Sequence, residues 1–277
     1  MTGIIRDRRT NHIVVRKTTK QSLTLNITFA TLICLTFLGF FFMDNRGVDV
    51  GKAGLQALED LRKLFFEPRM VHFTIWEALY EVLITLGLAF LTTLIGGIIA
   101  LVLGLFAAKN LTNARLSNTI KGAVAVVRAV PTVLWVLIFA IGAGLGSVAA
   151  VIGVSFHTVG YLLKAYSESF EELDEGVIEA LKSSGASWIQ IVFQAVLPSS
   201  MSYLLSWTFI RFEINFVVAV AMGAAAGAGG IGFDLYMASG HYFNIREVGF
   251  LSYLILTVAA GLEIIATRMK DSQRLRG

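Results

Sequence analysis

The sequence predicts an all-α integral membrane protein with six transmembrane helices and both termini in the cytoplasm. Three observations carry this. Of 277 residues, 56% are hydrophobic and only 15% charged, against roughly 25% charged in ordinary soluble domains. The mean hydropathy of +0.72 would leave a soluble core of this length with far too much apolar surface in water. Six apolar runs also approach or exceed the about 20 residues that a helix needs to cross a bilayer core about 30 Å thick. The same composition excludes a disordered or fibrous chain. The one cysteine, Cys34, lies in an apolar run, so no disulfide framework or cysteine metal cluster is expected.

Residues 1–22 form a basic leader expected to stay in the cytoplasm. Leu23–Met43 follows as the first span, read as retained because no small-residue cleavage site succeeds it. The outer segment 44–78 carries Leu55, Leu58, Leu61 and Phe65 at helical spacing. An amphipathic helix near the outer interface and a plain surface linker are both open there. Residues 79–267 form the transmembrane core. Its first helix, Leu79–Ala107, exceeds the required length and is expected to tilt. Gly96, Ala100, Gly104 and Ala108 recur along it every four residues, the small-xxx-small pattern that lets another backbone approach. Packing inside the bundle is the main reading of that face, and a subunit seam or sliding face the alternative. Gly122–Ile141 is the third span, with a kink expected at Pro131 that frees a carbonyl. A tight turn, residues 142–147, leads to the fourth, Val148–Tyr166; Ser200–Met222 and Val248–Thr267 complete the set, before a tail at 268–277. Fourteen Lys and Arg residues fall on the side of the termini and six on the other, outside the spans. That bias places the termini in the cytoplasm. The formal charge of +4 thus reflects topology and lipid headgroups, with no nucleic-acid partner.

The cytoplasmic segment 167–199 carries two helix signatures. One helix runs through Gly176–Lys182 and stops at Gly185, which suits a left-handed cap. The next starts at Ser187, with Gln190 three residues on as a capping box, and is expected to end at Pro198. Two short angled helices with exposed apolar residues suit either a partner's groove or their own bundle.

Within this segment Glu179-Ala-Leu-x-x-x-Gly185-x9-Ala-Val-Leu-Pro198 resembles the EAA motif of ABC-importer permeases. Glu179, Ala180, Gly185, Leu197 and Pro198 match; Leu181 and Ala195 depart but stay apolar. The resemblance implies a type I importer permease whose coupling residues here, Ser187 included, dock into ATPase subunits. Across residues 80–267, Arg128-Ala-Val-Pro131, His157-Thr158, Arg211-Phe-Glu-Ile-Asn215 and Gly227-Ala-Gly-Gly-Ile-Gly232 are similar to phosphonate ABC-transporter permeases. Thr132 and Phe216 depart, where that family often has an acidic residue and an arginine. This resemblance implies a pathway for phosphonate or a related phosphorus oxyanion, formed with a second permease chain (a homodimer expected). It further implies a cytoplasmic ATPase pair and an extracytoplasmic binding protein, in a bacterial inner membrane.

Charges within spans are costly and mark candidate sites. Arg211 and Asn215 are four residues apart on one helix face, and Glu213 points elsewhere, open to pairing with a neighbouring helix. Arginine's planar fork suits an oxyanion; an interhelical ion pair is the other reading of Arg211. Arg128 lies about 9 Å inside its span, at the inner mouth of a path or snorkelling to headgroups. His157 can bond an anion or a neighbouring helix, and Glu263 reads as structural. These residues, with Pro131, form the candidate pathway.

Other signals are refused. Gly227, Gly229 and Gly232 match G-x-G-x-x-G, but they follow a membrane helix rather than a strand, so a tight outer turn that includes Gly230 is expected instead of dinucleotide binding. No phosphate loop is present, so ATP and Mg are assigned to the partner ATPase and no cofactor or catalytic residue to this chain. The four histidines lack metal spacing. The alternatives are an ion-gradient-driven transporter of a small anion, with Glu213 as the coupling carboxylate, and an intramembrane hydrolase, for which Asp234 lacks a placed partner.

Overall fold

The computed structural model describes residues 4–6, 13–15, 20–42, 47 and 49–274. Most of the basic leader, residues 43–46 and the last three residues of the tail lie outside the described residues. The chain divides into two compact units, residues 1–57 and 58–277.

The first unit holds a short antiparallel strand pair, β1 (Ile4–Arg6) and β2 (Ile13–Val15), with Ile5 opposite Val14. Helix α1 (Lys20–Phe42) follows. Its apolar side chains from Leu23 to Phe42 face outward, as suits a helix whose solvent is hydrocarbon. Helix α2 (Val50–Phe66) begins in this unit and ends in the second. Leu55, Leu58, Leu61 and Phe65 lie exposed along it.

In the second unit a Thr74–Glu77 capping box opens α3 (Ile75–Ala107), each partner satisfying the other's free N–H. Helices α4 (Ala114–Ala129) and α5 (Thr132–Ala143) follow, then α6 (Ser147–Glu171). Next come α7 (Glu175–Ser183), α8 (Trp188–Ile191), a π-helical turn (Val192–Val196) and α9 (Leu197–Ala226). The unit closes with α10 (Ile231–Tyr236), a second π turn (Met237–His241) and α11 (Ile245–Arg274). Among the described residues five helices are long and apolar enough to cross a membrane, and the α4–α5 pair makes a sixth span if counted as one.

Two expectations change. The third span is not a kinked helix over 122–141: α4 and α5 are separate helices bent by 88°. Pro131 has no N–H and pushes Val130 out of the helical region, to φ −84° and ψ 124°. The carbonyl that Pro131 leaves without its usual donor belongs to Val127, and Trp135 Nε1 donates to it at 3.0 Å. Nor does Pro198 end the helix that starts at Trp188. The chain widens into the π turn, where the Leu197 N–H reaches the Val192 carbonyl, and continues unbroken to Ala226. Pro198 follows on this widened turn, which takes up the misfit of a residue that has no N–H to offer the turn before it. The segment joining α6 to this long helix is therefore residues 172–187, shorter than the 167–199 expected.

Three clusters hold the unit together. At one end Ala107, Ala108, Leu111, Tyr166, Phe170, Ile178, Ile191 and Val196 join α3 and α6 to the short helices. Val136, Ala149, Val154 and Met222 pack α5, α6 and α9, and Ala78, Val82, Ile231 and Leu251 close the other end. The small-residue stripe of α3 faces α6. A Cβ on Gly96 would lie 2.4 Å from Thr158 Cγ2, and one on Gly104 would touch Tyr166 and Phe170. Gly96→Ala is therefore expected to cost about 1–3 kcal/mol by overpacking. A lowered melting temperature of the purified chain checks this, and an unchanged melt would show that α3 and α6 can separate freely.

At the end opposite α7 and α8, the fully buried Glu247 carboxylate accepts the backbone N–H groups of Val71, His72 and Phe73 at 2.8, 2.7 and 3.2 Å. It also meets His72 Nδ1 at 2.7 Å, and the His72 ring stacks on Tyr242. Nearby, Tyr253 donates to the Phe65 carbonyl and Arg246 pairs with Glu67, holding the Glu67 carboxyl below its ordinary range. The first turns of α11 thus clamp the chain that enters α3.

Candidate functional site

Arg211 and Asn215, one turn apart on α9, are both buried, at 3% and 0% exposure. They meet one hydroxyl on α6. Thr158 Oγ1 accepts from Arg211 Nε and Nη2, each at 3.3 Å, and from Asn215 Nδ2 at 3.0 Å. Asn215 Nδ2 also donates to Thr93 Oγ1 on α3 at 2.8 Å. A line of neutral polar groups therefore crosses from α3 through α9 to α6 and ends at a guanidinium. The Arg211 Cζ lies 5.1 Å from the Tyr161 ring centroid, where the ring's negative face attracts a cation. Among the described residues no carboxylate lies within ion-pair distance of Arg211. The ion-pair reading of Arg211 is thereby corrected. A guanidinium has five N–H donors, and among the described residues Nε and Nη2 alone are engaged, by a single neutral oxygen.

Two further basic groups lie near. His157, half-buried on α6, is within electrostatic reach of Arg211 and Arg128. Its Nδ1 is buried without a hydrogen-bond partner, so a bond from a neighbouring helix does not satisfy it there. Arg128, exposed at the end of α4, lays its stem across Gly160 of α6, where a Cβ would lie 2.6 Å from Arg128 Cγ. The break at Pro131 follows directly, so Arg128 sits at the elbow between α4 and α5. Among the described residues none of these three basic side chains, from α4, α6 and α9, has a carboxylate within ion-pair distance. Glu213 does not join them: its charged neighbour is Glu263, and it has no cation partner among the described residues. The pairing with a neighbouring helix that was open to Glu213 is not found among the described residues.

Thr93 and Tyr161 were not singled out by sequence reasoning. Tyr161 lies three residues beyond Thr158 and four beyond His157, so helical spacing alone places it on their face. Thr93 lies three residues before Gly96 on the stripe of α3, a polar residue at the start of a small-residue face. A cavity of about 450 Å³ between α3, α4 and α6 is lined by Ile95, Ile99, Val127, Ile152 and Phe156. Ser155 also lines it, but no charged side chain does, so the charged chemistry lies elsewhere, at the α6–α9 contact.

At the end of the bundle that carries the short helices, the motif residues have distinct fates. Glu179 and Ala180 are exposed on α7. Gly185, at φ +82°, occupies the left-handed position of a Schellman cap: its N–H reaches Lys182 and that of Ala186 reaches Leu181. Ser187 and Gln190 form the capping box of α8. Leu197 and Pro198 lie in the first turn of α9, and Val177, Ile189 and Phe193 point outward. At the opposite end Gly227, Gly229 and Gly230 take φ values of +63°, +81° and +75°, turning the chain from α9 into α10. Gly232 then packs against the Val220 carbonyl. Among the described residues no group of three His, Cys, Asp or Glu side chains is placed to hold a metal ion.

The sequence profile of the family described as "Binding-protein-dependent transport system inner membrane component" matches residues 100–270. Curated proteins similar to the chain include two permeases. The phosphate-import permease protein PhnE of Mycolicibacterium smegmatis is 30% identical over 180 residues, 65% of this chain and 34% of that protein. The phosphite transport system permease protein PtxC of Stutzerimonas stutzeri is 31% identical over 175 residues, 63% of each chain. The matched region spans about a third to just under two thirds of these relatives' length. Among solved structures, an inward-facing form of the MetNI methionine ABC transporter superposes with a TM-score of 0.64. It is 22% identical, and the match covers 73% of this chain and 99% of that one, which shows a shared fold.

Proposed function

Because the chain belongs to the family of inner-membrane components of binding-protein-dependent transport systems, we propose that it is the permease subunit through which an ATP-driven importer passes a phosphorus oxyanion. The observation that carries this reading is the Arg211 guanidinium, buried in a membrane-spanning helix and engaged by one neutral hydroxyl. A cation held in hydrocarbon without a counter-charge is costly, so such residues face a partner or a water-filled path. A planar guanidinium fork matches an anion with several oxygens. His157 and Arg128 supply further donors, and among the described residues neither has a carboxylate within ion-pair distance. The names of the curated relatives, phosphate import and phosphite transport, point to the same substrate class.

In this reading a second permease chain faces the first across the path, with α7 and α8 in the cytoplasm. A pair of ATPase subunits carries ATP and Mg and grips Glu179, Ala180 and the cap at Gly185. An extracytoplasmic binding protein delivers the anion at the end that carries the glycine turn. α2, with its exposed apolar stripe, lies at the outer interface. The ATPases do work only by binding the inward- and outward-facing packings unequally, which shifts the population between them. The site must therefore hold the anion loosely, through a few donors and no closed shell.

The test is reconstitution with the partner ATPase and binding protein in liposomes. ATP inside should drive concentrative uptake of phosphate, phosphite or an alkylphosphonate, and acetate should neither be carried nor compete. Uptake that needs an ion gradient and ignores ATP would replace this reading with a secondary transporter.

A further inference from the structure

We propose that Trp188 is a positioning residue that hands the motion of α8 to the turn between α3 and α4, so that Arg128 on α4 moves together with Arg211 on α9. The proposal rests on the importer reading above. The long helix from Trp188 to Ala226 joins α8 to Arg211 through the backbone, and α7 follows α6 after a short turn. Helix α4 has no such covalent link to the short helices. Its foot is the turn 108–113, and Trp188 reaches that turn from α8. The indole Nε1 donates to the Leu111 carbonyl at 3.0 Å, and its ring stacks on Phe106 at 5.3 Å with the planes 11° apart.

The turn that Trp188 grips is built to move as one piece. Ser117 Oγ of α4 donates to the Ala107 carbonyl of α3 at 2.6 Å, and the Asn113 side chain caps α4. Glu171, at the end of α6, accepts the Lys109 N–H at 2.8 Å and meets Lys121 Nζ at 2.7 Å. Asn110 Nδ2 donates to the Phe170 carbonyl. Displacing Leu111 therefore displaces the start of α4, with Arg128 at its far end. Aliphatic contacts alone would let α8 slide over the turn. A stacked ring with a directed hydrogen bond resists sliding, and Ile189 and Phe193 point outward, away from this contact.

The experiment uses the complete complex in liposomes, with Cys34→Ser and paired spin labels at exposed positions, one on α4 (Val126) and one on α9 (Tyr203). Two quantities are read: anion carried per ATP hydrolysed, and the change in each label's distance to its mate in the second permease when ATP is trapped. Trp188→Phe keeps a ring but leaves the Leu111 carbonyl unpaired. It is expected to lower anion per ATP at least about fivefold, the loss of one hydrogen bond. The α9 label should still move and the α4 label should lag. Phe106→Leu removes the stack, keeps the indole donor, and should show the same split if Trp188→Phe fails to assemble. Variants that assemble, keep the wild-type ratio and move both labels would overturn the proposal alone. A wild type that does not couple uptake to ATP would remove the importer reading, and this proposal with it.

Discussion

In the proposed importer, uptake of a phosphorus oxyanion through an Arg211→Met variant is expected to fall at least about thirtyfold, because truncating one partner of a buried charge-assisted contact costs about 2–5 kcal/mol. Arg211→Lys should lie between: it keeps a positive charge but loses the planar fork and reaches less far, so a loss of about tenfold is expected, one charge-assisted hydrogen bond's worth. The sign of the stability change separates a transport role from a structural one. Removing an uncompensated buried cation relieves a desolvation cost, and the methionine chain fills similar volume, so Arg211→Met should melt no lower than the wild type. Initial uptake rates at matched membrane expression, together with melting of the purified complex, check both halves. Normal uptake by a well-expressed Arg211→Met protein would reduce Arg211 to a packing residue.

The second large effect lies at the opposite end of the bundle. Glu247→Leu should destabilise the folded chain by about 3–5 kcal/mol, since it strands several buried backbone donors at once. Three N–H groups, of Val71, His72 and Phe73, lose their acceptor together, and His72 loses its anchor. Glu247→Gln keeps one carbonyl oxygen of the same reach and should recover roughly half of that loss. The readout is the melting transition in detergent, with hydrogen exchange at residues 71–73 as the local signature. A Glu247→Leu protein that melts like the wild type, with those amides still protected, would show that the clamp is redundant.

Much of the architecture was legible because the bilayer leaves few choices. Apolar runs of the right length became helices, and Gly185, Ser187 and Gln190 took the cap positions that their chemistry favours. Arg211 and Asn215 share a face because four residues make about one turn. The errors sit at prolines, whose effect depends on what surrounds them. Pro131 breaks its span by 88°, a wider angle than a kink, because Trp135 can take the orphaned Val127 carbonyl from eight residues away. Pro198 fails to stop its helix because a π turn just before it absorbs the misfit. Neither rescue is visible in a local pattern. The partners of Arg211 were only half legible: Thr158 lay in a recognised run, whereas Thr93 and Tyr161 become neighbours only once three helices are packed. The orphaned His157 Nδ1 and the missing partner of Glu213 are likewise products of packing, not of spacing.

The unbroken helix from Trp188 to Ala226 has a mechanical corollary. At 1.5 Å per residue, its 39 residues make a rod about 58 Å long, nearly twice the bilayer core. Rocking such an oar by about 10° about its foot sweeps the far tip sideways by roughly 10 Å, by the same length arithmetic. A shift of an ångström or two near Phe193 then goes with a far larger displacement at Ala226, while Arg211, part-way along the shaft, travels a shorter arc.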